Sequence, residues 1–142
     1  MRTGWRACAG VSCTAVRTWS WWRAARHPVY WKPDGAGGWR VPLGPRETLA
    51  DVAIALGVDV IMVVAMRLGC INHALLTAEA IRADGLRLAG WVANQPGPAM
   101  ICHAENLDTL QRLLPAPLLG EVPLISPFSA KEASQHIDIS IK

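Results

Sequence analysis

Apolar and polar positions fall into blocks of two periods from Glu47 onward. In ETLADVAIAL (Glu47 to Leu56) the apolar residues recur at helical spacing, and Gly57 stands where a left-handed cap would end the helix. VDVIMVVA (Val58 to Ala65) is β-branched and apolar almost throughout, the mark of a strand buried on both faces. The spacing predicts a second helix from Asn72 to Ala83, with Asn72 as its cap and Gly85 after its end. LRLAGWVA (Leu86 to Ala93) reads as a strand, Ala99 to Leu114 as a helix closed by Pro115, and Leu118 to Val122 as a strand. Ile137 to Ile141 is a candidate fourth strand.

Strands that alternate with helices form βαβ units, so the expected fold class is α/β, a parallel sheet with helices on both faces. The pattern is incomplete at its amino-terminal side, since so few strands leave exposed edges. Ligands of such sheets bind beyond the carboxyl ends of the strands. That rule selects the glycine turn at Asp34 to Gly38, the loop after Ala65 and the loop after Ala93.

Each place has two readings. Asp34-Gly35-Ala36-Gly37-Gly38 has glycines that let backbone amides approach a phosphate and a carboxylate able to hold Mg²⁺, or it is merely a tight turn. Arg67-Leu68-Gly69-Cys70-Ile71-Asn72-His73 leads from a strand into a helix, so free amides and the helix dipole would favour an anion there; the alternative is an ordinary capped connection. Asn94 and Gln95 place two amides at the sheet rim, which suits a nucleobase edge and equally suits a turn before Pro96.

Charge changes the picture at the amino terminus. The net charge of +3 averages two unlike segments: residues 1–33 hold six basic residues and no acid, and the remainder sums to −3. Five of the seven tryptophans also fall in residues 1–33, without helical or strand period. A membrane-surface segment, a transit peptide and a nucleic-acid-binding arm would each use some of these residues. Composition without period fits better a disordered or out-of-frame stretch, so the folded domain is expected over residues 34–142. The mildly acidic body offers no nucleic-acid footprint, and no apolar run reaches the roughly 20 residues of a membrane span. Cys8, Cys13, Cys70 and Cys102 form no C-x-x-C and no zinc spacing with the histidines, so they are expected as reduced thiols in the cytoplasm.

Three strings, taken together, carry more than each does alone. GAGGW followed by VPL, then LGCINHALLTAEAIRADGLRLAGWVAN, then LLPAPLLGEVP resemble the ATP-dependent dethiobiotin synthetases in order and spacing. The resemblance covers residues 34–142 and implies the carboxy-terminal part of a homodimeric P-loop NTPase-like enzyme of biotin synthesis. That family uses ATP, Mg²⁺ and CO₂ to close a ureido ring on 7,8-diaminononanoate. It implies Asp34 as a Mg²⁺ ligand and Gly35, Ala36, Gly37 and Gly38 beside the phosphates. Gly69, Cys70, Ile71 and Asn72 would take the substrate's tail carboxylate across the dimer interface. Asn94 and Gln95 would recognise adenine, Pro123, Leu124 and Ile125 would pack on the base, and Glu132 would be a further nucleotide contact. Asn106 stands where some relatives have a Tyr that contacts substrate.

The family's P-loop, its catalytic Lys, a substrate-contacting Ser and a metal-binding Asp have no counterpart in residues 1–33, and Lys32 lies too close to GAGGW to be that Lys. No catalytic residue is therefore expected in this chain, since phosphoryl transfer depends on those groups. The alternative is a non-catalytic dimerising or ligand-binding remnant. The amidotransferase-type cobyrinate synthases share the P-loop ancestry, but LGCINHALL argues against them.

Overall fold

The computed structural model describes residues 15–18 and 38–139, and the sheet is laid out by its register. In chain order the elements are β1 (Ala15–Thr18), α1 (Leu49–Leu56), β2 (Val60–Ala65), α2 (Cys70–Ala83), β3 (Leu88–Asn94), α3 (His103–Leu113), β4 (Leu118–Val122) and α4 (Ala130–Ser134). The strands stand side by side in that same order, β1-β2-β3-β4. β2, β3 and β4 run parallel, and β1 pairs antiparallel with β2 through Ala15↔Val63 to Thr18↔Val60. This edge strand lies in the segment to which the hydrophobic pattern assigned no element.

A right-handed crossover that always steps to the next strand in one direction lays every helix on the same face. Met62, Val64, Trp91 and Ala93 on that face pack with Cys70, Ala74 and Ala78 of α2 and Leu110 of α3. A second cluster joins Val60 and Ile81 to Ala50 and Ala53 of α1 and to Trp39. The other face carries Ile61, Val63 and Ala65, half-buried, and Val92. The expected arrangement of helices on both faces is thus seen, among the described residues, as helices on one face.

Element ends differ from expectation where local chemistry competes. Gly57 closes α1 in the left-handed region, its amide reaching the carbonyls of Ala53 and Ile54. α2 starts at Cys70 with Gly69 as its cap, so Asn72 sits inside the first turn rather than capping it. α3 begins at His103, because the backbone from Met100 makes a turn first, the His103 amide meeting the Met100 carbonyl at 3.2 Å. Of the expected strand at Ile137 to Ile141, the described residues show one antiparallel bridge, Ile137 to Gly120, reinforced by the Asp138 amide on the Leu119 carbonyl at 2.8 Å.

Candidate functional site

Ala65, Asn94 and Val122 form one row across the sheet, since Ala65 pairs with Asn94 and Asn94 with Val122. The three loops that follow this row are tied together at their start. The Met66 amide meets the Asn94 carbonyl at 2.8 Å and the Gln95 amide meets the Val122 carbonyl at 2.9 Å. Gly69 to Asn72, Asn94, Gln95 and Pro123 to Ile125 therefore share one rim at the carboxyl ends of parallel strands.

The loop after β2 turns at Gly69, whose φ of 89° lies in the left-handed region that glycine adopts without penalty. The Cys70 amide is used by the Arg67 carbonyl at 2.9 Å, while the Ile71 and Asn72 amides have no partner among the described residues. Those two point out of a helix start, where an anion is favoured. The Cys70 side chain goes the other way, into the core. Arg67, just ahead of this start, has Nε and Nη2 buried without a partner among the described residues. Sequence reading placed Arg67 in the loop string but gave it no role.

The second side of the rim is a chain of polar groups. Gln95 Nε2 lies 3.4 Å from His103 Nδ1, and His103 Nε2 lies 2.7 Å from Glu121 Oε1. Strict alternation along LLGEV would put Glu121 on the face opposite Leu118. A register shift intervenes: Leu118 pairs with Trp91, Gly120 with Val92 and Glu121 with Ala93, so Leu119 is an extra residue. Such a bulge re-aims the side chains after it. It brings Glu121 onto the helix-bearing face, beside the first residue of α3. His103 and Glu121 were not among the residues singled out from sequence. Their only signal was that Glu121 stands inside the string LLGEVP, because a bulge leaves no trace in composition.

Pro123 and Ile125 are half-buried and Leu124 is exposed, so this loop offers apolar surface beside the amides. Glu132 lies on α4, exposed, its amide bound to the Ser129 hydroxyl at 3.3 Å. Asn106 turns to Met100, its Nδ2 lying 2.8 Å from the sulfur. Asp34, Gly35, Ala36 and Gly37 lie outside the described residues. Gly38 is described, and it is not brought to the rim. Its neighbour Trp39 donates its indole N–H to Asp84 at 2.5 Å and is buried against Val60 and Ile81, and Arg40 adds a second bond to Asp84 at 2.9 Å. Asp84 caps the far end of α2, a helix about 20 Å long at 1.5 Å per residue, so the indole is anchored at the end opposite Gly69.

Electrostatics away from the rim are structural. Hydrogen bonding from Arg87 holds the Asp59 carboxyl below its usual range and raises the guanidinium in turn, linking the approaches to β2 and β3. Among the described residues no three His, Cys, Asp or Glu side chains gather as a metal site, and no helix is long and apolar enough to cross a membrane.

A parallel sheet with an anion-favouring helix start and amides at one rim suits a nucleotide-binding protein, and comparison with known families decides which. The model of the AAA domain matches residues 34–132. The chain belongs to the AAA domain family. Among similar curated proteins, the ATP-dependent dethiobiotin synthetase of Cellvibrio japonicus is 58% identical over 107 residues, covering 75% of this chain and 47% of that protein. That of Pseudomonas paraeruginosa is 57% identical over 136 residues, covering 92% of this chain and 58% of that protein. That of Aromatoleum aromaticum is 60% identical over 93 residues, covering 66% and 41%. The chain thus spans about half the length of the curated relatives it matches. The alignment to the Pseudomonas protein covers more than residues 34–142 make up, and so extends into the tryptophan-rich segment. In this AAA domain the described rim is the stretch that carries LGCINHALL, WVANQ and GEVP.

Proposed function

We propose that this AAA-domain chain is the substrate-tail and nucleobase part of an ATP-dependent dethiobiotin synthetase of biotin biosynthesis. The observation that carries the reading is the 57–58% identity to such enzymes from two genera, over alignments that take in most of this chain. In the reaction, CO₂ forms a carbamate on one amine of 7,8-diaminononanoate, ATP phosphorylates it, and the second amine displaces phosphate to close the ureido ring.

The roles assigned to this chain's residues follow from what each offers. The Ile71 and Asn72 amides, set up by Gly69 and Cys70, can take the tail carboxylate, with Arg67 adding positive charge behind them. Gly69 is exposed, as a site completed by a second copy requires, and a homodimer in the cytoplasm is the assembly this reading implies. Half-buried amides at Asn94 and Gln95 fit the edge of adenine, which carries donor and acceptor side by side. Pro123, Leu124 and Ile125 supply an apolar bed for the base, and Glu132 is a further nucleotide contact. Mg²⁺ would neutralise phosphate charge, and of this chain's residues Asp34 is its candidate ligand, with Gly35, Ala36 and Gly37 as phosphate neighbours. None of the rim groups abstracts a proton or stabilises a transferring phosphoryl group, so this part binds and orients while the P-loop part does the chemistry.

Fixation of labelled CO₂ into diaminononanoate tests this. The 142-residue chain alone is expected to give no turnover, and the same chain combined with the P-loop-bearing part of the Cellvibrio enzyme is expected to give ATP-dependent product. Turnover by the chain alone would overturn the division of labour. Absence of product from the combination, with both parts folded, would overturn the functional assignment itself.

A further inference from the structure

The polar chain at the rim fixes the state of one ring. An amide nitrogen can only donate, so Gln95 Nε2 beside His103 Nδ1 requires that Nδ1 be the acceptor. The ring hydrogen is then on Nε2, where it donates to the Glu121 carboxylate. A carboxylate accepts and cannot donate, so Glu121 requires the hydrogen on Nε2, and in the neutral ring the Nδ1 lone pair then faces the N–H₂ end of the Gln95 amide. With Nε2 held inward, Oε1 is the end left to the rim, and among the described residues it has no hydrogen-bond partner.

We propose that His103 and Glu121 are positioning residues that orient Gln95 to present a carbonyl acceptor, selecting a base with an exocyclic amine over one with an exocyclic carbonyl. The inference rests on the base-site reading above. It concerns the six-position of a purine: adenine offers an N–H₂ donor there, and hypoxanthine an oxygen that would face the Gln95 carbonyl. The β4 bulge belongs to the same device, because strict alternation through Leu119 and Gly120 would put the Glu121 carboxylate on the opposite face and leave the ring free to take either tautomer.

Adenosine and inosine, which differ at that position, are the probes, titrated into the full chain and followed by ligand NMR. Wild type is expected to prefer adenosine by about tenfold, one hydrogen bond's worth of discrimination. His103→Phe removes the acceptor but keeps a ring, and should shrink the preference to within about threefold. Glu121→Lys puts a donor against Nε2, drives the hydrogen to Nδ1 and turns the Gln95 amide over, so inosine should become the better ligand. Glu121 is partly exposed, its side chain 39% accessible, so this variant should fold even where His103→Phe does not. The nitrogen spectrum of His103 gives a readout that loss of stability would not move: an Nε2–H tautomer in wild type and Nδ1–H in Glu121→Lys. An adenosine preference unchanged in the folded variants would overturn this inference and leave the base site standing. Binding of neither nucleoside by wild type would overturn the base-site reading and this inference with it.

Discussion

Gly69 and Gly120 are required for different reasons, and substitution separates them. A Cβ on Gly69 would meet the His73 ring at an ordinary 3.5 Å, so Gly69→Ala is limited by its φ of 89° and should cost about 1–2 kcal/mol, with no change in neighbouring contacts. At Gly120 the backbone is unremarkable, but a Cβ would fall 1.9 Å from the His136 carbonyl oxygen. Backbone cannot yield as a flexible side chain does, so Gly120→Ala should expel the tail that crosses β4 and cost about 1–3 kcal/mol. Urea midpoints measure both losses, and amide exchange at Asp138 tells them apart. That amide, bound to the Leu119 carbonyl at 2.8 Å, should lose protection in Gly120→Ala and keep it in Gly69→Ala. Sequence alone marked Gly69 as a turn residue but was silent on Gly120, because the first depends on local conformation and the second on a segment that returns from elsewhere in the chain.

The short helix α1 depends on its first turn. Asp51 Oδ2 accepts from both the Thr48 amide and the Thr48 hydroxyl at 2.6 Å, and those bonds, the hydroxyl's first, hold the carboxyl below its ordinary value near 3.8. A folded-state value below the unfolded one means stability present at pH above the ordinary value and lost as pH falls through the lowered one. Asp51→Asn should therefore be less stable than wild type near neutrality, with the gap closing as pH falls through the ordinary value near 3.8 and on through the lowered one; urea unfolding at stepped pH measures it. A gap that stays constant over that range would mean the carboxyl's charge is not what caps the helix. Element existence was legible here, since helical spacing and the Gly57 stop both mark α1. The same holds for β2, β3 and β4 as elements, although β2 is buried on one face only and β4 is fully buried only at Val122. Element starts were less so: Asn72 offers a capping side chain, but Gly69 reaches the left-handed turn first and α2 begins two residues earlier. The bulge at Leu119 is the part of the site that no pattern of polar and apolar letters contains, and it is what brings Glu121 to His103.

At the scale of the molecule the sheet is covered by helices on one face, and the other presents Ile61, Val63 and Ala65 only half-buried. Sequence pattern foresaw an incomplete parallel sheet but not which face would be left, because that follows from strand order, and strand order follows from the direction of successive crossovers. Apolar side chains also stand outside the core: Leu68 is 97% exposed and Ile101 fully so, with Leu76 and Leu113 more than half exposed on α2 and α3. Monomeric proteins rarely carry so much unpaired apolar surface, and an open sheet face adds to it. The chain alone should therefore self-associate, with a mass that rises with concentration in light scattering. Co-expression with the part of the Cellvibrio enzyme that this chain does not cover should replace that behaviour with a complex of fixed stoichiometry. The two possible causes of association can be told apart. If the half-buried sheet face drives it, Val63→Lys should disperse the aggregates while Leu76→Lys leaves them; if the helix surface drives it, the order reverses. A concentration-independent monomer in wild type would mean that the described faces are already closed, and that this part of the sheet folds as a unit without its partner.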